Sequence, residues 1–277
     1  MQDKRIAIAH KVVIPWLTLL IYKIMSNQCV KRLRNNSSHV IFFSKFCIKS
    51  TDCTTLAEAQ AIQFVSNVTS IPVPRVYCAF EHKSRVYILM ERIQGQSLWN
   101  GWCQRQPESR ARILDQLRSM IAELRSLQPE NSMEISNVAG GPIYDQRLPK
   151  KSIWGPFRTI GEFHRELRNG IKPEDILHEG TPTDLRRLIS FHERDWGRPV
   201  FTHGDLSSMN ILVRGDDVVG IVDWETAAWM PPYWEYTSAW NVNPQNQFWQ
   251  EEVHRFLTPL PFEVEMEAIR RKYFGDF

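Results

Sequence analysis

The segment His203-Gly204-Asp205-Leu206-Ser207-Ser208-Met209-Asn210 separates two apolar runs, and the run after it turns at Gly215-Asp216-Asp217 and returns to end on Asp223. No other stretch constrains the fold as tightly. The apolar flanks read as strands, and the glycine-containing turn reads as a hairpin, so Asp205, Asn210 and Asp223 are expected at one end of a small sheet. Hard oxygen donors converging there suit Mg²⁺, which takes one or two carboxylates together with the phosphates of a nucleotide. A further carboxylate can orient a hydroxyl and take its proton. This is a layout for phosphoryl transfer, with Asp205 as the base and Asn210 and Asp223 as metal ligands. His203 reads as a structural histidine of the loop rather than as an acid or base. The plainer readings make Asp205 a turn residue and Asn210 a loop cap.

Upstream, the pattern is β-type first. HVIFF (39–43) and FCIKS (46–50), joined by Ser44-Lys45, form one expected hairpin, and VYCAF with RVYILM forms another. Between them Leu56, Ile62 and Val65 fall on one side of a helix that ends before Pro72 and Pro74. Gly95 is the first glycine in the chain, and beyond it helical periodicity takes over, as in Ile113, Leu117, Ile121 and Leu124. Further helices are expected around GEFHRELRNG and from TPTDLRRL, with Thr183 as an N-cap. The chain divides at this change of pattern into 1–94 and 95–277. The Trp224, Trp229, Trp234 and Trp240 cluster reads as core.

Charge follows the same division. Residues 1–94 hold 13 Lys+Arg and 5 Asp+Glu, whereas the whole chain holds 34 and 31. The first part therefore suits an anionic partner and the second a cation. No basic run has interleaved aromatics, so nucleic acid is not an expected partner. The five cysteines, Cys29, Cys47, Cys53, Cys78 and Cys103, are odd in number, scattered and never in C-x-x-C spacing, so neither a disulfide framework nor a zinc site is implied, and a cytoplasmic protein fits best. VVIPWLTLLIY (12–22) is short for a bilayer span. Ile14, Leu17, Ile21 and Ile24 recur at helical spacing, so an amphipathic helix packed on the first part is expected and a membrane partner is not. The sequence sets no oligomeric state.

The H-G-D-x-x-x-x-N loop followed thirteen residues later by Asp223 resembles the catalytic and metal-binding loops of the aminoglycoside phosphotransferase and choline kinase superfamily, the small-molecule relatives of protein kinases. The likeness runs from the 39–50 hairpin through SIPVPRVYCAF, YILMERIQG and GPFRTIGEFH to WEYTSAW, and within the group it is to fungal members. It implies a two-lobed, protein-kinase-like α+β fold, with 1–94 as the nucleotide-covering lobe and 95–277 as the catalytic lobe. It also implies ATP and Mg²⁺ as cofactors and a small-molecule hydroxyl as acceptor. By the same resemblance Lys49 contacts the nucleotide phosphates, Glu58 holds Lys49, and the backbone from Met90 to Ile93, Glu91 and Ile93 in particular, binds adenine.

Two departures from that pattern stand out. The turn before the first hairpin is Asn35-Asn36-Ser37-Ser38, without the glycines that usually cover nucleotide phosphates, and this raises the alternative of a nucleotide-binding module without turnover. Asp223 is followed directly by Trp224-Glu225 with no long activation segment, which disfavours a protein substrate. Thr55-Leu56-Ala57-Glu58 can also be read as a capping box, in which Glu58 serves only to start its helix.

Overall fold

β-branched and aromatic residues in VIFF, FCIKST, VYCAFEH and RVYILME favour extended backbone, and these runs form the strands β1 (Val40–Phe43), β2 (Phe46–Thr51), β3 (Val76–His82) and β4 (Arg85–Glu91). They make one antiparallel sheet in the order β1-β2-β4-β3, with Lys49 opposite Ile88. Both hairpins turn on non-glycine residues with positive φ, Ser44 at 48° and Lys83 and Ser84 at 51° and 57°. The computed structural model describes residues 3–27, 40–51, 55–129, 134–149, 153–241 and 247–275, the side chains of 3–13 and 247 excepted. The Asn35 to Ser38 turn, Cys29 and Cys53 lie outside the described residues.

Helix α1 (Asp3–Ser26) precedes the sheet, and α2 (Ala57–Val68) packs on it through Ala59, Ala61, Ile62 and Val65, all buried. The expected stripe on α1 is split. Ile14 and Ile21 are half-buried, but Leu17 and Ile24 are exposed, because the helix turns its Thr18 side to the sheet.

From residue 96 onward the short strand β5 (Gln96–Ser97) already belongs to a second sheet. Helix α3 (Pro107–Ser126) carries the expected stripe, with Ile113, Leu117, Ile121 and Leu124 no more than 2% exposed. Each such side chain contributes up to about 1.5–3 kcal/mol of burial. Then come β6 (Ile143–Tyr144), β7 (Ile153–Trp154), α4 (Ile160–Leu167) and α5 (Thr183–His192). Thr183 opens α5 as its first residue and is not the cap: Pro182 stands at the N-cap without a side-chain bond, and Asp184 Oδ1 accepts the Leu185 N–H at 2.9 Å.

β8 (Val200–Thr202) leads into the 203–210 loop, followed by β9 (Ile211–Arg214), β10 (Asp217–Ile221) and β11 (Ala228–Met230). The sheets are ordered β10-β9-β5 and β11-β8. Gly215, with φ 61°, makes the β9–β10 turn. The chain continues with α6 (Trp234–Asn241), α7 (Gln247–Phe256) and α8 (Pro261–Phe274). Trp224, Trp229 and Trp234 are buried, as expected of core, while Trp240 is half-buried.

Two features fix the first sheet against the second part. Phe64 of α2 meets Phe201 and Trp229 edge-on at 5.3 and 6.1 Å, and Ile221 N–H donates to the Pro72 carbonyl at 2.8 Å. Close approach explains Gly220, where a Cβ would lie 2.5 Å from Ile93 Cδ1.

Candidate active site

A cavity of about 370 Å³ opens between the two sheets, lined by Lys49, Glu58, Glu91, Ile93, Asn210 and Asp223 together with the apolar Val40, Met90 and Leu212. It thus gathers six of the seven residues singled out in the sequence. The seventh, Asp205, is joined to Asn210 by a hydrogen bond. A larger cavity of about 510 Å³ lies by α3 and α7 among Arg118, Arg125, Tyr236 and 254–260. No carboxylate lines it, so converging chemistry marks the smaller cleft.

Lys49 lies on β2, Glu58 on the first turn of α2 and Asp223 just past β10. Lys49 Nζ donates to Glu58 Oε1 at 3.0 Å, to Asp223 Oδ1 at 2.5 Å and to Glu225 Oε2 at 3.0 Å. Burial works to lower its pKa, but Glu58 first, then Asp223 and Glu225, outweigh it and hold the ammonium well above the usual lysine range. Burial pushes the Glu58 carboxyl up to about 7, and the Lys49 ammonium, with Nζ 2.9 Å from Oε2, opposes the rise. Glu58 is 1% exposed and turns both oxygens to Lys49, while Thr55 Oγ1 accepts the Ala57 N–H at 3.2 Å. The capping-box reading therefore fails: Leu56 holds the N-cap and carries no side-chain bond.

The 203–210 loop is tied from inside. His203 Nδ1 accepts the Asp205 N–H at 3.1 Å, so the ring proton sits on Nε2 and is donated to the Val222 carbonyl at 3.1 Å. Burial lowers this histidine to about 4, and it is neutral, a structural residue as the sequence suggests. Asn210 Nδ2 donates to the Asp205 carbonyl and to Asp205 Oδ2, both at 2.9 Å, which places the amide oxygen on the opposite branch. Burial pushes the Asp205 carboxyl up to about 6; Arg147 opposes the rise, and Asp223 adds to it.

The backbone is as specialised as the side chains. Gly204 has φ 81°, and a Cβ there would lie 3.0 and 3.1 Å from Thr226 Oγ1 and the Thr226 carbonyl. Asp223 itself has φ 66°, a conformation that costs a non-glycine residue energy and turns its carboxylate toward Lys49.

The sequence reading missed three groups. Glu225, two residues past Asp223, joins the Lys49 cluster; Glu58, Asp223 and Glu225 each offer an oxygen within 4.8 Å of the others. Glu235 on α6, 0% exposed, accepts the His203 and Gly204 N–H groups at 2.6 and 3.0 Å and so fixes the loop backbone from below. Arg147 is held by Asp145 at 2.8 and 2.9 Å and donates to the Gly204 carbonyl. At the other end of the cleft Arg92 N–H donates to the Lys45 carbonyl at 2.9 Å, and no hydrogen bond among the described residues engages the Ile93 N–H. Lys45, four residues before Lys49, is exposed in the β1–β2 turn.

Residues 42–260 match the family model described as APH, phosphotransferase enzyme family. No curated protein sequence matches the chain significantly. Among solved structures, a thermostable mutant of the aminoglycoside phosphotransferase APH(4)-Ia is similar in two states. Its apo form aligns at TM-score 0.55 with 13% identity, over 83% of this chain and 76% of that one. A ternary complex with AMP-PNP and hygromycin B aligns at 0.56 with 14% identity, over 90% of each chain. At that identity the likeness is one of fold, a protein-kinase-like α+β fold.

Proposed function

The chain belongs to the APH phosphotransferase enzyme family, and we propose that it transfers the γ-phosphoryl group of ATP, with Mg²⁺, to a hydroxyl of a small molecule. One observation carries this reading: Lys49, clamped by Glu58, faces Asp223 across the cleft, with Asp205 and Asn210 hydrogen-bonded to each other on the adjoining loop. An ammonium, a base and hard oxygen donors are the parts that in-line phosphoryl transfer requires.

In this reading 1–94 covers the nucleotide and 95–277 carries the chemistry. Adenine enters the apolar end of the cleft between Val40, Met90 and Leu212 and meets the backbone at Glu91 and Ile93, where the Ile93 N–H is an available donor. Lys49 keeps Glu58 and exchanges its contacts with Asp223 and Glu225 for phosphate oxygens, which frees two carboxylates. The donor set fits Mg²⁺, since all its members are hard oxygens and two of them sit within 4.8 Å. Asn210 and Asp223, with Glu225 beside them, would hold the ion, whose charge neutralises the phosphate oxygens. Asp205 accepts the acceptor's hydroxyl proton as the oxygen bonds to the γ-phosphorus and the bond to ADP breaks. The absence of a long activation segment after Asp223 supports a small acceptor over a protein.

A thermal-shift titration with Mg·ATP, followed by an ATP-turnover assay on the same sample, tests the reading. A shift accompanied by turnover is expected. A shift with no turnover against any hydroxyl acceptor would reduce the chain to a nucleotide-binding module.

A further inference from the structure

Helix α1 has two apolar faces. On one, Thr18 is 1% exposed and the Tyr22 ring meets Tyr87 edge-on at 5.2 Å, so this side packs on the first sheet. On the other, Trp16, Leu17, Leu20 and Ile24 stay 69, 50, 42 and 57% exposed. At about 100° per residue these four fall within an arc of roughly 100°, and the exposed Lys23 sits at its edge. Single exposed leucines are ordinary. A contiguous arc of a tryptophan, two leucines and an isoleucine is not, and no described residue covers it.

Charge selects the occupant. Residues 1–39 hold seven Lys or Arg against one acid, Asp3, while the other 238 residues hold 27 against 30. A second copy of this chain packed face to face across a two-fold axis would set the exposed Lys23 edge of the arc against its own copy. An anionic bilayer surface instead suits both: the apolar arc enters the boundary between headgroups and acyl chains, and Lys23 at its edge meets lipid phosphates. Trp16 has the amphipathic ring that favours that depth. Spanning is not required, and no described helix is long and apolar enough to cross a membrane.

We propose that α1 is a peripheral membrane helix that lays Trp16, Leu17, Leu20 and Ile24 into an anionic phospholipid surface. This departs from the sequence-based expectation of no membrane partner, and it is independent of the catalytic reading.

Flotation of the full chain with vesicles tests it, comparing phosphatidylcholine alone with phosphatidylcholine containing about one third phosphatidylserine. The chain is expected to float with the anionic vesicles, less so as salt is raised, and to stay behind with the neutral ones. Leu20→Glu with Ile24→Glu should lower the bound fraction roughly tenfold or more at unchanged melting temperature. The milder Leu20→Gln with Ile24→Gln gives the same readout should the charged pair disturb the helix. No flotation with anionic vesicles, or flotation that both double variants leave unchanged, overturns the proposal. So does a concentration-dependent dimer that the variants dissolve and vesicles do not compete with.

Discussion

Lys49 Nζ lies 2.5 Å from Asp223 Oδ1 although 174 residues separate the two in sequence. The contact spans the cleft, so the ammonium neutralises the carboxylate assigned to the metal. Asp223→Ala is therefore expected to abolish the Mg²⁺-dependent tightening of ATP while metal-free nucleotide binding changes little. Calorimetric titration with and without Mg²⁺ reads this; an equal Mg²⁺ effect in variant and parent places the metal elsewhere.

Glu58→Gln tests the Lys49 clamp by removing the charge and keeping the shape. A glutamine lacks the charge that holds Lys49 against phosphate. Because Asp223 and Glu225 still flank Lys49, the melting temperature should stay within a few degrees. kcat/KM for ATP should fall about tenfold or more, about 1.4 kcal/mol. Unchanged kcat/KM would remove the pair from nucleotide handling.

Asp205 sets an acid limb. Its carboxyl is pushed up to about 6, and only the ionised form can take a proton. Activity should thus be flat above that pH and fall about tenfold per unit below it. Arg147 opposes the rise, so Arg147→Met should move the limb to higher pH, and Arg147→Lys, which restores the charge, should move it back. A limb that ignores both substitutions would detach Arg147 from the base.

How much of this was legible in the sequence depends on what each residue answers to. Asp205, Asn210 and Asp223 could be read because a hairpin brings near neighbours in sequence to one end. Lys49 and Glu58 could be read only through the family resemblance, since a lysine on a strand and a glutamate on the next helix carry no spacing signal of their own. Leu17 and Ile24 were misplaced because α1 is apolar on both sides, and periodicity cannot tell which face meets the sheet. Glu225 left a signal, a carboxylate two residues past Asp223. Glu235 left a fainter one, a single acid in a helix otherwise uncharged. Arg147 left none, since its partner Gly204 lies 57 residues away across a loop with no pattern.

Glu235 supports the loop through two N–H groups, so Glu235→Gln keeps one acceptor and turns an NH₂ against the other donor. The buried mismatch should cost about 1–3 kcal/mol, a fall of several degrees in melting temperature. kcat should drop with KM for ATP nearly unchanged, because the nucleotide end of the cleft is untouched. A variant as stable and as active as the parent would show that the loop holds itself.

The phosphotransferase reading is tested most directly by incubating a pool of hydroxyl-bearing metabolites with Mg·ATP and each of two proteins, the parent and Asp205→Asn, and reading masses. The parent should convert at least one component to a product heavier by one phosphate with matching ADP formation, and Asp205→Asn should slow that conversion by about 10² or more while binding ATP normally. A product formed equally fast by both proteins would contradict the assignment of Asp205 and the chemistry built on it.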